Sequence, residues 1–178
     1  MKRIAIGLVI GMLGGAVAGF GLGIFIYPFW FLNDVAQETL AQDIERTQIA
    51  AGEFIHANPS DPVHWGKGRV ELFKEKSGQT VVFLTDDFEV GPGPRFHVYL
   101  VDHSRVTSRS AFLDSEKVDL GRLRAFRGSQ VYSVPAEADA TKFKSVVIWC
   151  KEFGVLISPA TLVKDANAPK QERDNGKV

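Results

Sequence analysis

Ser145-Val146-Val147-Ile148-Trp149-Cys150-Lys151-Glu152-Phe153-Gly154-Val155 holds the only cysteine of the 178-residue chain and one of its three tryptophans. No polar residue interrupts Val146 to Trp149, and Val146, Val147 and Ile148 are β-branched, a composition that suits an extended strand. A half-buried strand alternates apolar with polar residues. This one is apolar at every position, so it is predicted to be covered on both faces. Strand alternation then places Cys150 with Val146 and Ile148 on one face, and Trp149 with Val147 and Phe153 on the other. The thiol ends the inward row where the chain turns polar at Lys151-Glu152. Two readings of it stand. It is a packed small hydrophobe, as buried cysteines commonly are, or a reactive centre, which needs access and a nearby cation. Lys151 points to the opposite face and serves that second reading poorly.

Working outward, short runs separated by turn residues surround this strand. Arg69 to Phe73, Thr80 to Leu84, Phe88 to Val90, Arg95 to Val101, Gln130 to Val134 and Gly154 to Ile157 read as strands, with Gly91-Pro92-Gly93-Pro94 an evident loop. The segment after Val101 through Ser110 reads as a polar connection, and Pro135 to Thr141 as room for one helical turn. Short strands at short spacing predict a mainly β fold, an antiparallel β-sandwich or barrel, over residues 52–163. Residues 164–178 are dominated by Lys, Asp, Asn, Gln and Glu, with little to bury, and are predicted to be a disordered tail.

Ahead of the β region, Ile4 to Leu32 contains no charged residue, and Lys2 and Arg3 precede it. Residues 1–32 are therefore predicted to form one N-terminal transmembrane helix, since a bilayer core needs about 20 helical residues. Basic residues before it put the N-terminus in the cytoplasm and the β domain outside, in the periplasm if the cell is bacterial. Tyr27, Phe29, Trp30 and Phe31 suit the far headgroup layer, and Pro28 marks the predicted helix exit. A signal peptide cleaved after Ala16-Val17-Ala18 is the rival, but apolar sequence continues well past that point. Gly7, Gly11, Gly15, Gly19 and Gly23 recur every fourth residue, a spacing that lets membrane helices associate closely. Self-association through this stripe is expected beside the plain alternative that glycine is frequent in such helices. Residues 33–51, with Asn33 or Asp34 as cap and no Gly or Pro before Gly52, are predicted to be a short helical linker.

Composition excludes several function classes. The 21 basic and 21 acidic residues balance, so there is no positive footprint for nucleic acid. A single cysteine forbids an intramolecular disulfide. His56, His64, His97 and His103 have no compact metal-ligand spacing, and Cys-x-x-Cys is absent, so zinc and covalent haem lack a motif. No nucleophile elbow, Walker or Rossmann pattern occurs. His97 falls in a strand with Tyr99 and Val101 and reads as a hydrogen-bonded structural histidine.

Gly52-x-Phe54, His64-x-x-x-Gly68, Phe88-x-Val90 and Gly93-Pro94-x-Phe96-x-Val98-Tyr99-Leu100 resemble the DM-thirteen, or electron-transfer DM, domain. So do Leu120-Gly121-x-Leu123, Gly128-x-Gln130-x-Tyr132-x-Val134-Pro135 and Val146-Val147-Ile148-Trp149-Cys150-x-x-Phe153. The resemblance implies an extracytoplasmic β-rich module whose one characteristic cysteine, here Cys150, is redox-active and works with a redox partner protein. It also makes His64 and Trp149 the candidate cofactor contacts. If the 58–68 loop closes over Cys150, Cys150 and His64 would form a thiolate–imidazolium pair or bind copper or haem iron. Arg95 stands where the family usually has aspartate, and Ser158-Pro159 replaces an aromatic-glycine step. The alternative is a binding or scaffolding domain in which Cys150 only packs.

Overall fold

The computed structural model describes residues 2–31 and 35–164, in two compact units that divide at Asp34 and Val35. Helix α1 (Lys2–Phe31) forms the first. Its segment Arg3–Ile24, of mean hydropathy 2.1, is long and apolar enough to cross a membrane. The helix continues through Pro28 to Phe31, past the exit predicted at Pro28. The glycine stripe lies on this helix, and a Cβ at Gly7, Gly11, Gly15, Gly19 or Gly23 would meet nothing of the chain within 4 Å.

The second unit is mainly β. It comprises β1 (Val35–Gln37), β2 (Arg46–Glu53), β3 (Gly66–Lys67), β4 (Arg69–Glu75), β5 (Thr80–Leu84), β6 (Glu89–Val90), β7 (Phe96–Val101), α2 (Arg109–Leu113), β8 (Lys117–Arg122), β9 (Arg127–Ser133), a 3-10 turn (Ala140–Lys142), β10 (Ser145–Cys150), β11 (Val155–Thr161) and β12 (Val163–Lys164). The larger sheet runs β12-β2-β4-β5-β9-β6-β3, and the smaller runs β11-β10-β7-β8. Every pairing is antiparallel except β1, which lies parallel to β9. A bridge from Phe54 to Ala160 stitches the sheets together at one corner.

The core follows from strand alternation. Val70 and Leu72 of β4, Val82 and Leu84 of β5 and Tyr132 of β9 face Val98 and Leu100 of β7 and Val146, Ile148 and Cys150 of β10. The opposite face of the small sheet carries Tyr99, Val101, Val147 and Trp149, which pack with Val106 and Phe112 in a second cluster. All six residues of β10 are buried, covered by the large sheet on one side and by α2 on the other. The two-sided cover expected of the opening strand is what the fold supplies.

Three expectations are corrected. The helical linker expected over residues 33–51 is not formed in its described part, 35–51: Val35–Gln37 pairs with Arg127–Ser129, and Arg46–Glu53 pairs with β4 along its length. The apolar stripe of Val35, Leu40, Ile44 and Ile49 is too sparse to bury a helix face, whereas an extended chain buries Ala50 and satisfies its backbone on β4. The β unit thus begins at Val35 instead of Gly52. The polar connection expected through Ser110 leads into a helix, α2, whose Ser108 side chain caps it by accepting from the Ala111 N–H at 3.2 Å. Phe153 leaves the strand row and is exposed, because the chain turns at Lys151–Gly154. The tail from 165 onward and the Asn33-Asp34 cap lie outside the described residues.

Candidate functional site

The loop between β6 and β7 builds the surroundings of Cys150. Gly91 donates its N–H to the Trp65 carbonyl at 3.1 Å, and the loop then crosses the end of β10. The Cys150 thiol donates to the Pro94 carbonyl, S···O 3.2 Å, and the residue is 1% exposed. Arg95 follows with a left-handed backbone, φ 49°, which an arginine adopts only under constraint. Two bonds hold it there. Its carbonyl accepts the Lys151 N–H at 3.1 Å, and its guanidinium pairs with Glu152 at 3.1 Å. Aspartate tolerates the left-handed region better; with arginine at this position, the Glu152 pair and the Lys151 bond fix the turn. The sulfur lies beneath this turn.

Trp149 points the other way, as alternation requires. Its ring stacks on Phe112 with centroids 4.0 Å apart at 17°, and Tyr99 meets Phe112 edge-on at 5.1 Å. Beyond Tyr99 lies a polar group that the sequence reading did not assemble. Asp119 accepts from the Tyr99 hydroxyl at 3.1 Å, from Lys151 Nζ at 2.7 Å, from His97 Nδ1 at 2.9 Å and from the Gly121 N–H at 2.9 Å. Burial pulls its carboxyl upward, but the bonds from Lys151, His97 and Gly121 outweigh that and hold it at about 2. An ionised carboxylate only accepts, so His97 carries its proton on Nδ1. Burial, reinforced by the Asp119 charge, raises the Tyr99 phenol. His97 is the hydrogen-bonded structural histidine that was expected. Lys151 lies on the Trp149 face, also as expected, with its ammonium on Asp119.

Asp119 makes a pH test available. Its folded value lies below the ordinary 3.8, so its contribution to stability is present above about pH 4 and is lost as pH falls through about 2. Wild-type and Asp119→Asn chains, melted in steps from pH 7 to 2, are expected to differ in Tm at neutral pH. The difference should close between about pH 4 and 2. A constant difference would mean that the ionised bonds at Asp119 are not what the substitution removes.

His64 sits elsewhere. Its Nδ1 donates to Asp61 Oδ2 at 2.6 Å, and this bond, with the Val63 and His64 N–H groups, lowers the Asp61 carboxyl to about 2. His64 and Asp61 line a cavity of about 210 Å³ together with Arg109 and Val155–Ile157 of β11. β11 is the strand outside β10, and Cys150 does not line this cavity. No hydrogen bond joins His64 to Cys150, and among the described residues no three His, Cys, Asp or Glu side chains are grouped to hold a metal ion. A capped thiol and a ring committed to Asp61 do not fit a copper or haem centre shared between Cys150 and His64.

The site is thus an isolated buried thiol on one face of a central strand, with an aromatic and carboxylate cluster on its other face. A family model described as electron transfer DM13 matches residues 59–162, more than half of the chain, and the chain belongs to that family. No curated protein and no solved structure matches it.

Proposed function

We propose that this chain is a membrane-anchored, extracytoplasmic electron-transfer module in which Cys150 exchanges electrons with a redox partner protein. Membership of the electron-transfer family supports the role, and the apolar helix behind Lys2 and Arg3 supports an anchor with the β unit on the far side. The observation that carries the reading is the placement of the thiol, beside Trp149 at the end of a fully covered strand and under one polypeptide loop. A lone cysteine has three redox routes: a thiyl radical, a sulfenic acid, or a disulfide to another molecule. Burial disfavours the third, because an attacking thiol must reach sulfur. The one-electron route needs only contact or proximity, and balances as Cys150–SH giving one electron to the acceptor and one proton to a water admitted as the 91–95 loop breathes, leaving a Cys150 thiyl radical.

Hexachloroiridate(IV), a one-electron acceptor strong enough to oxidise a thiol, tests this with the full chain in detergent. The wild-type chain is expected to reduce about one equivalent more than Cys150→Ser, which melts within a few degrees of wild type. The same degree of reduction by Cys150→Ser would overturn the role. A second reading, a binding domain in which Cys150 only packs, is favoured by the sulfur's burial and capped hydrogen bond. Equal oxidant consumption by wild type and Cys150→Ser supports packing. Maleimide labelling from pH 5 to 9 tests the cover itself: slow modification without denaturant means that the 91–95 loop lifts, and labelling only in denaturant means that the sulfur stays sealed.

A further inference from the structure

We propose that Tyr99 is a second, proton-coupled redox site of this module, giving up one electron as its phenolic proton passes to the Asp119 carboxylate. This deepens the electron-transfer reading and rests on it. A phenol that loses an electron becomes a far stronger acid, so its oxidation is easy only where a base waits at hydrogen-bond distance. Tyr99 has one: its hydroxyl donates to Asp119 Oδ2 at 3.1 Å, and its side chain is shielded, at 8% exposure. The charged and titratable groups around it are Asp119, His97 and Lys151, the last two bonded to the same carboxylate and fixing its orientation.

The other tyrosine of the β unit and its thiol lack this arrangement. Tyr132 donates to Gln130 Oε1 at 2.8 Å, a neutral amide that cannot take a proton. Cys150 donates to the Pro94 carbonyl, equally unable to accept one. Tyr99 is also joined to the thiol-bearing strand. Its ring meets Phe112 at 5.1 Å, Phe112 stacks on Trp149 at 4.0 Å, and Trp149 is the peptide neighbour of Cys150. The step balances: Tyr99–OH, the Asp119 carboxylate and a one-electron oxidant give a neutral Tyr99 phenoxyl radical, Asp119 carboxylic acid and the oxidant reduced by one electron. The oxidant in the cell would be a high-potential metal centre of a partner. In the test it is photogenerated tris-bipyridine ruthenium(III).

The full chain in detergent, oxidised by flash-quench and read by electron paramagnetic resonance, is expected to give a tyrosyl signal. Tyr99→Phe should remove it and Tyr132→Phe should keep it. Asp119→Asn, which leaves the phenol in place, should slow radical formation at least about 10-fold, as expected from losing a positioned proton acceptor. The variant's rate should rise with pH between about 6 and 9 as bulk base takes over, while the wild-type rate stays flat. A signal surviving Tyr99→Phe, or an Asp119→Asn rate and pH profile equal to wild type, overturns the proposal. Hexachloroiridate(IV) reduction on the same samples keeps the two ideas apart. If wild type reduces more of it than Cys150→Ser while the radical is not on Tyr99, only the Tyr99 proposal falls. If the two reduce the same amount, the role of Cys150 falls, whichever residue bears the radical.

Discussion

Trp149→Ala is expected to destabilise the β unit by about 3–5 kcal/mol, the range for removing a large buried aromatic. The indole is 5% exposed and forms the floor of the outer cluster, against which Phe112 stacks. Phe112 is the one buried residue of α2, so losing its partner removes the contact that seats a five-residue helix too short to be stable alone. Tyr99 and Val147 would then face water across the gap. Urea unfolding followed by circular dichroism checks this: the midpoint should fall sharply with little change in slope. Trp149→Phe keeps an aromatic ring and is expected to lose substantially less. A loss below about 1 kcal/mol for the alanine variant, less than a buried cavity of this size allows, would show that α2 and its cluster do not stabilise β10.

Gly128→Ala has the next largest expected effect and bears on the segment the sequence reading mistook for a helix. Gly128 has φ 83°, and a Cβ there would lie 2.1 Å from the Ala36 carbonyl oxygen and 2.9 Å from a Val35 methyl. An L-residue in that conformation is disfavoured by about 1–2 kcal/mol. Relieving the clash requires β1 to move away, forfeiting backbone bonds worth about 1 kcal/mol each. The Glu38 N–H bond to Ser129 at 3.0 Å would go with them, as would the 2.8 Å bonds that the Glu38 carboxylate accepts from the Val131 N–H and Arg124. A total of about 2–4 kcal/mol follows. Limited proteolysis should then cut between residues 35 and 45, where the wild type resists. Unchanged resistance would mean that β1 is not held by its pairing with β9.

The opening stretch was legible because its chemistry is one-sided. Six consecutive residues without a charge leave a strand no solvent face, so its cover, and the opposed directions of Cys150 and Trp149, follow from alternation. The 33–51 error has the opposite cause. With neither Gly nor Pro to break it, that segment has no local preference strong enough to decide, and the deciding partners, β4 and β9, are distant in sequence. Helix α2 hides for a related reason, since five residues with one buried anchor show no period. Asp119 was invisible because its partners His97, Tyr99 and Lys151 meet it only once β7, β8 and the end of β10 are side by side. His64 was drawn toward Cys150 by family pattern; in the fold its ring answers to Asp61, three residues away.

The loop that seals Cys150 acts as a sheath over the sulfur. Sheathing by Pro94 and Arg95 stops a bulky thiol from docking, so the residue is spared the mixed disulfides that waste unpaired cysteines. An electron needs no such docking, because it travels between closely packed groups without any atom crossing the sheath. On the proposed reading, one and the same packing would isolate the sulfur from other thiols and still let charge through.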